Sequence, residues 1–136
     1  MEKALTFGLA CVSERVMSEN DAVMFDIDDT LLKTDGTPIP EMIYLFQTCK
    51  SLGYKMVIIT ARPYYQENII HTKDQLLKNN IFTDKLVFTD PEKKTKAKTL
   101  LEYNFVLSVG DQYTDLDGSD HSIKLPTRLD NNVYTK

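Results

Sequence analysis

Residues 22–32, with the sequence AVMFDIDDTLL, constrain this chain more than any other stretch. Four apolar residues suit both pleat faces of a buried parallel strand, and acids follow at Asp26, Asp28 and Asp29. Because an unpaired buried carboxylate is very costly, these acids cannot belong to the core. The stretch therefore predicts a central strand whose carboxyl end carries a polar site.

The spacing of the acids narrows the chemistry of that site. Asp26 and Asp28 are two positions apart, and in an extended chain such residues point the same way. Two carboxylates that face one small volume repel each other unless a cation or a shared proton relieves them. Oxygen ligands suit a hard cation, and Mg²⁺ is the first expectation. The alternative is an acidic turn capped by Asp29 or Thr30, and the short string D-x-D-x-T leaves both interpretations open.

Strands and helices alternate along the chain. Strands are predicted at 22–25, 55–59, 86–88, 105–109 and 122–125, and helices at 2–19, 40–52, 64–78 and 95–103. Short strand–helix–strand units imply parallel pairs with right-handed crossovers. The expected fold is α/β: an open, mostly parallel, Rossmann-like sheet with helices on both faces. We expect one domain over residues 1–136, with the N-terminal helix inside 1–20 and a polar surface tail at 126–136.

Polar residues follow four of the predicted strands, where ligands bind in such folds. They are Asp26 and Asp28, then Thr60-Ala61-Arg62, then the lysines at 93, 94, 96 and 98, and finally Gly110-Asp111 with Asp115. We expect one of the lysines to be functional and the others to be solvated at the start of a helix. Arg62 either contacts a substrate or caps a helix.

These motifs resemble a known family. FDIDDTLL, TARP at 60–63, KTKAKTLL at 94–101, SVGDQYTDL at 108–116 and KLP at 124–126 are similar to motifs of the haloacid dehalogenase (HAD) superfamily of phosphatases, above all its class B acid phosphatase and plant vegetative storage protein branch. The resemblance covers residues 20–126 and implies a HAD-like core. It selects Lys94 as the phosphate-binding lysine, with Lys96 as the second choice.

The resemblance also implies catalytic roles. Asp26 would be the nucleophile that forms an aspartyl-phosphate, in an ionised state that needs no base at neutral pH. Asp28 would be the general acid and base. Thr60 and Lys94 would hold the transferring phosphoryl oxygens, and Arg62 is a further candidate for substrate binding.

The implied metal site uses some of the same residues. Mg²⁺ would be held by Asp26, the backbone carbonyl of Asp28, and Asp111. Asp115 would bind a metal-bound water or orient Lys94 rather than contact the metal itself.

The expected function is a Mg²⁺-dependent phosphomonoester hydrolase, similar to the acid phosphatases. The same intermediate would serve a phosphotransferase or mutase, and a non-hydrolytic phosphoacceptor or Mg²⁺-binding module, or a non-catalytic storage-like relative, is a further alternative. About thirty residues separate Asp28 from Thr60, and again Thr60 from Lys94, which leaves no room for a sizeable cap domain. An open site would admit a small phosphorylated molecule or an exposed phosphate on a macromolecule, or be covered by the tail or by a homodimer partner.

Composition limits the partners and the compartment. A net charge of −4 and a pI near 5.1 give no reason to expect a nucleic-acid groove. No apolar run reaches transmembrane length, so no membrane partner is expected. Cys11 and Cys49 have no metal-ligand spacing and suit core positions in a reducing compartment, although a disulfide between them stays open. The expected location is the cytoplasm.

Overall fold

Six strands form one sheet in the computed structural model, which describes residues 1–127 and 129–136. The elements are α1 (Glu2–Ser13), β1 (Asp21–Phe25), α2 (Pro40–Leu52), β2 (Lys55–Thr60), α3 (Gln66–Lys78), β3 (Lys85–Phe88), α4 (Lys94–Leu101), β4 (Asn104–Gly110), β5 (His121–Lys124) and β6 (Tyr134–Thr135). The strand order is β3-β2-β1-β4-β5-β6, and only β6 runs antiparallel to its neighbour. The predicted α/β class with a mostly parallel sheet is confirmed.

The alternation of side chains along the central strands divides the core in two. Phe25 and Met56 lie in a large cluster with apolar residues of α1, α2 and α3, whereas Met24 and Val57 lie in a small cluster with residues of α4. Helices therefore cover both faces of the sheet, as predicted. The cover is uneven, since α4 is the one helix of the described residues that packs on the small cluster.

A β-bulge aligns the ends of the two central strands. Ala22 pairs with Phe105 and Val23 pairs with Leu107, so Val106 is an extra residue in β4. Beyond the bulge the pairing continues to the end of β1, where the backbone N–H of Asp26 donates to the carbonyl of Val109 at 3.0 Å. The residues that follow β1 and β4 therefore leave the sheet side by side.

The helix α2 has the ends that its sequence predicts. Pro40 stands in its first turn, where a missing N–H costs nothing. Gly53 ends it with φ of 102°, a left-handed conformation that favours glycine. The segment between β1 and α2 contains two isolated β-bridges and no inserted domain.

The helix α1 ends six residues earlier than the prediction of 2–19. It stops at Ser13, because Arg15 turns back to the carboxylate of Asp21 at 2.5 Å, and the backbone N–H of Ser18 donates to the same oxygen at 2.8 Å. These bonds hold residues 14–20 as a loop. Val16, which lies inside the predicted helix, is 90% exposed.

The segment 126–136 is not merely a surface tail. Tyr134–Thr135 form β6, which pairs with Ile123 and Lys124 at the edge of the sheet. The helix predicted at 95–103 also moves, since α4 begins at Lys94 after a 3-10 turn at Pro91–Lys93. No helix among the described residues is long and apolar enough to cross a lipid bilayer.

Candidate active site

Three carboxylates converge beside the carboxyl ends of β1 and β4. Asp26 follows β1, Asp111 follows β4, and Asp115 lies in the 3-10 turn Tyr113–Asp115. One carboxylate oxygen from each lies within 4.8 Å of those of the other two. Asp115 is fully buried, and Asp26 and Asp111 are each 7% exposed. The turn thus brings together residues that are 89 positions apart along the chain.

Lys94 supplies the positive charge of this cluster. Its Nζ donates to Asp26 Oδ1 at 3.1 Å and to Asp115 Oδ1 at 2.5 Å, and the side chain is 3% exposed. Burial disfavours the charged ammonium, but the two carboxylates outweigh burial and raise the pKa of Lys94 above its ordinary value. Lys94 is therefore a charged residue at neutral pH. Lys96, the second choice from the sequence, is exposed and outside the cluster.

Asp115 uses both of its oxygens within the protein. Oδ1 accepts from Lys94, and Oδ2 accepts from the backbone N–H of Gln112 at 3.1 Å. The carboxylate packs on Gly110, where a Cβ would overlap it. Glycine is required at this position by that close approach, and Asp115 is oriented toward Lys94.

The cluster carries an excess of negative charge. Burial is the main cause that raises the pKa of Asp26 well above its ordinary value, and the neighbouring Asp115 adds to it while Lys94 opposes it. Burial likewise raises the pKa of Asp111. Three carboxylates against one ammonium leave an electrostatic cost that a cation would remove.

The donor set fits a hard divalent cation. It consists of oxygen atoms, two of its three carboxylates are slightly open to solvent, and a single ammonium faces three carboxylates. Asp26 and Asp111 have carboxylate oxygens to offer, whereas those of Asp115 already accept from Lys94 and Gln112.

Asp28 and Thr60 lie beside the cluster, and Arg62 connects them. The guanidinium of Arg62 forms a bidentate ion pair with Asp28, through Nε at 3.0 Å and Nη2 at 2.8 Å. Its backbone N–H donates to Thr60 Oγ1 at 3.2 Å. The structure thus gives Arg62 partners within the protein, while the Asp28 side chain is 39% exposed.

Lys98 is a buried residue of this region that the sequence reasoning assigned to solvent. Its Nζ donates to Ser108 Oγ at 2.9 Å and to the backbone carbonyls of Asp115 and Asp117, each at 2.6 Å. Burial lowers its pKa to about 8. A signal was present in the sequence: Lys94 and Lys98 are one helical turn apart, on the face that carries Leu101.

A cavity of about 640 Å³ opens next to Asp111. Its wall also includes Asp29, Tyr113 and Lys124. The Lys124 ammonium lies 5.2 Å from the centre of the Tyr113 ring. On the other side of the site, Tyr64 is 76% exposed at the entrance to a smaller cavity beside Arg62.

Comparisons with known proteins show the family of this chain. The family model described as HAD superfamily, subfamily IIIB (acid phosphatase), matches residues 33–136, which include Thr60, Lys94 and Asp111 and begin after Asp28. Two soybean (Glycine max) proteins are similar: the stem 31 kDa glycoprotein, 26% identical over 160 aligned positions that cover 90% of this chain and 62% of the relative, and the stem 28 kDa glycoprotein, 28% identical over 120 positions that cover 79% and 46%.

The chain spans about half to three fifths of the length of these relatives. The first alignment is longer than the 136 residues of the chain, so that relative contains residues with no counterpart here. The match to the family model extends over most of the chain and includes three of the four strand ends that form the site. The chain therefore belongs to the acid phosphatase subfamily, IIIB, of the HAD superfamily.

Proposed function

We propose that the protein is a Mg²⁺-dependent phosphomonoester hydrolase that acts through an aspartyl-phosphate on Asp26. One observation carries the proposal: the Lys94 ammonium bridges Asp26 and Asp115 inside a buried group of three carboxylates. A charge cluster of this kind is costly for stability alone, and perturbed carboxylates of this kind are typical of catalytic sites. Membership of the acid phosphatase subfamily supports the same reaction class.

The first step transfers the phosphoryl group to the protein. A carboxylate oxygen of Asp26 attacks phosphorus, and the bond between phosphorus and the leaving oxygen breaks. Asp28 gives its proton to that oxygen, so the alcohol leaves as a neutral molecule. The hydroxyl of Thr60 and the ammonium of Lys94 hold the phosphoryl oxygens as charge moves onto them.

The second step releases phosphate. Asp28, now ionised, takes a proton from a water molecule, and the water oxygen attacks the phosphorus of the aspartyl-phosphate. The bond between phosphorus and the Asp26 oxygen breaks, which restores the carboxylate. Asp26, Asp111 and the backbone carbonyl of Asp28 would hold Mg²⁺, with Asp115 orienting Lys94. When bound, the ion supplies positive charge that keeps Asp26 ionised and offsets the charge of the phosphoryl group.

The open approach to the site suits a range of substrates. Asp28 remains partly exposed, and the cavity beside Asp111 has room for the leaving group of a small phosphomonoester. A phosphate on a macromolecule would reach the site as well, because no cap domain is inserted between β1 and β2. A second copy of the chain would cover the same approach, and gel filtration at micromolar concentration tests for that dimer.

The central test measures phosphate release from 4-nitrophenyl phosphate with Mg²⁺ and with EDTA. We expect Mg²⁺-dependent turnover by the wild-type protein and loss of turnover in Asp26→Asn. In Asp28→Asn we expect kcat to fall about 10²–10⁴-fold, because the second step loses the base that takes a proton from water. Turnover that survives Asp26→Asn would exclude covalent catalysis at that residue. A phospho-adduct that forms but never turns over would favour the phosphoacceptor alternative.

A related assay separates hydrolysis from transfer. The same site would serve a phosphotransferase if an alcohol replaced water in the second step. Addition of a primary alcohol to the reaction should leave the yield of inorganic phosphate unchanged for a hydrolase. A phosphorylated alcohol that forms at the expense of inorganic phosphate would assign the protein to the transferases.

We also propose that the protein works in the cytoplasm. Cys11 and Cys49 are both free thiols, which suits a reducing compartment. Burial raises the pKa of Cys49 to about 12, so this thiol is unreactive. Cell fractionation with an antibody to the protein would test the location.

A further inference from the structure

Arg62 is bound at both ends of its guanidinium. Nε and Nη2 donate to the two oxygens of Asp28 at 3.0 and 2.8 Å. Nη1 donates to Thr72 Oγ1 at 3.0 Å and to Gln75 Oε1 at 2.7 Å. Four of its five N–H groups are therefore used, and its side chain is only 12% exposed. The guanidinium joins the turn after β1 to the helix α3.

The α3 end of this connection is held firmly. Thr72 is fully buried and Leu76, in the next turn, is 4% exposed. The Gln75 side chain is packed between Arg62 and the loop at Gly36, where a Cβ would lie 3.2 Å from Gln75 Nε2. The planar guanidinium therefore has a fixed place and orientation. Asp28 is therefore bound to a guanidinium group of fixed orientation rather than to a mobile surface side chain.

The bidentate ion pair with Arg62 leaves Asp28 able to transfer a proton. Each carboxylate oxygen has two lone pairs, and the ion pair with Arg62 uses one on each. The Asp28 side chain is 39% exposed, which leaves its remaining lone pairs accessible. The backbone N–H of Arg62 also donates to Thr60 Oγ1, which leaves the hydroxyl hydrogen of Thr60 available to a phosphoryl oxygen.

We propose that Arg62, braced by Thr72 and Gln75, is the positioning residue that directs the Asp28 carboxylate at the leaving oxygen. The inference rests on the proposed function, in which Asp28 transfers that proton. It makes α3 a part of the catalytic apparatus, although none of its side chains touches the substrate. A displacement of about 1 Å in a reacting group costs up to about 10²-fold in rate, so loss of the brace should be visible in kinetics.

The choice of substrate isolates the role of Asp28. The 4-nitrophenolate ion leaves without a proton, whereas the alkoxide of an alkyl phosphate needs one. The constant kcat/KM reports the steps up to departure of the leaving group. A misdirected Asp28 should therefore lower kcat/KM for an alkyl phosphate far more than for 4-nitrophenyl phosphate, whereas general structural damage should lower both alike.

The experiment compares Gln75→Leu, Thr72→Val and Arg62→Lys with the wild-type protein, using 4-nitrophenyl phosphate and glycerol 3-phosphate with Mg²⁺. For each variant we expect kcat/KM to fall about 10–100-fold with glycerol 3-phosphate and less than about 3-fold with 4-nitrophenyl phosphate. Asp74→Asn is the matched control, because Asp74 is on the same helix and pairs with the exposed Lys78. It should change neither value.

The outcomes separate this inference from the proposed function. A wild-type protein that hydrolyses neither ester overturns both. A wild-type protein that hydrolyses both, with variants that lose activity equally on the two esters or lose none, overturns the inference alone. Thermal unfolding of each variant identifies any that fail to fold, and the near-isosteric Thr72→Val keeps the comparison valid if the Gln75 or Arg62 variant does.

Discussion

The substitution Lys94→Met tests the electrostatics of the site through stability. With an effective dielectric constant of about 20, an ion pair at 3.1 Å is worth about 5 kcal/mol and one at 2.5 Å about 7 kcal/mol. Burial of the three ions offsets several kcal/mol of that attraction. Loss of the lysine alone leaves Asp26 and Asp115 buried without a cation. We therefore expect the free energy of unfolding to fall by about 3–5 kcal/mol in EDTA.

Urea denaturation of the metal-free protein measures this loss of stability. Two further variants test whether the loss is specific to the charge of Lys94. Lys96→Met removes an exposed lysine of the same helix and should change the free energy of unfolding by less than about 0.5 kcal/mol. The double variant Lys94→Met with Asp115→Asn removes one of the two carboxylates left without a cation. Its free energy of unfolding should therefore exceed that of Lys94→Met by at least about 1 kcal/mol. Added Mg²⁺ should reduce the deficit of Lys94→Met, because it supplies the missing charge.

Two results would refute the reasoning. One is a Lys94→Met protein whose stability in EDTA lies within about 1 kcal/mol of the wild type, which would mean that the ammonium does not compensate the carboxylates. The other is a double variant that is less stable than Lys94→Met, which would mean that Asp115 is not left as an uncompensated charge.

Three other predictions follow from the buried charges. Burial lowers the pKa of Lys98 from 10.5 to about 8, so between these pH values the unfolded chain binds more protons than the folded protein. The stability of the wild type relative to Lys98→Met should therefore rise by up to about 3 kcal/mol between pH 8 and pH 10.5. Urea denaturation at several pH values measures this rise. Burial opposes ionisation of Asp21, but hydrogen bonds from the Ser18 N–H, Arg15 and Asn104 lower its pKa to about 2. The contribution of Asp21 to stability is therefore present above pH 3.8 and is lost as the pH falls to about 2. The difference in Tm between the wild type and Asp21→Asn should disappear over that interval. Mg²⁺ at 100 times its Kd should stabilise the protein by about 2.7 kcal/mol, and Asp111→Asn should abolish this gain in a thermal scan with and without the ion.

The strands were accessible from the sequence because local patterns determine them. Residues 22–25 and 55–59 are short apolar runs bounded by polar residues, and both are buried strands in the structure. Pro40 and Gly53 mark the ends of α2 through backbone geometry alone. The parallel pairing followed from the length of the connections.

The features that were missed depend on side-chain or edge contacts that hydrophobic periodicity does not report. The end of α1 at Ser13 is set by the ion pair of Arg15 with Asp21 rather than by helical periodicity, which continues to Val16. The strand β6 exists because β5 offers it an edge. No local pattern shows either partner, so the sequence favoured a longer helix and a tail without structure.

The same distinction applies to the candidate site. The positions of Asp26 and Asp111 follow from the rule that ligands bind at the carboxyl ends of parallel strands, whereas Lys94 was selected from four lysines by the family resemblance. The partners of Arg62 lie 10 and 13 residues further along the chain, on a helix whose rotation about its own axis no motif specifies. The role of Arg62 is therefore open from the sequence alone, in which no motif marks Thr72 or Gln75.

The uneven cover of the sheet has a dynamic consequence. The helix α4 has eight residues and packs on the smaller of the two clusters, yet it carries both Lys94 and Lys98. A local opening of α4 would withdraw both ammonium groups while the larger cluster stayed intact. If Lys94 holds an anion as proposed, that anion must be released before the opening, so it should slow amide hydrogen exchange in α4 more than elsewhere. Anion affinity and amide exchange in this short helix would then be two measures of one equilibrium.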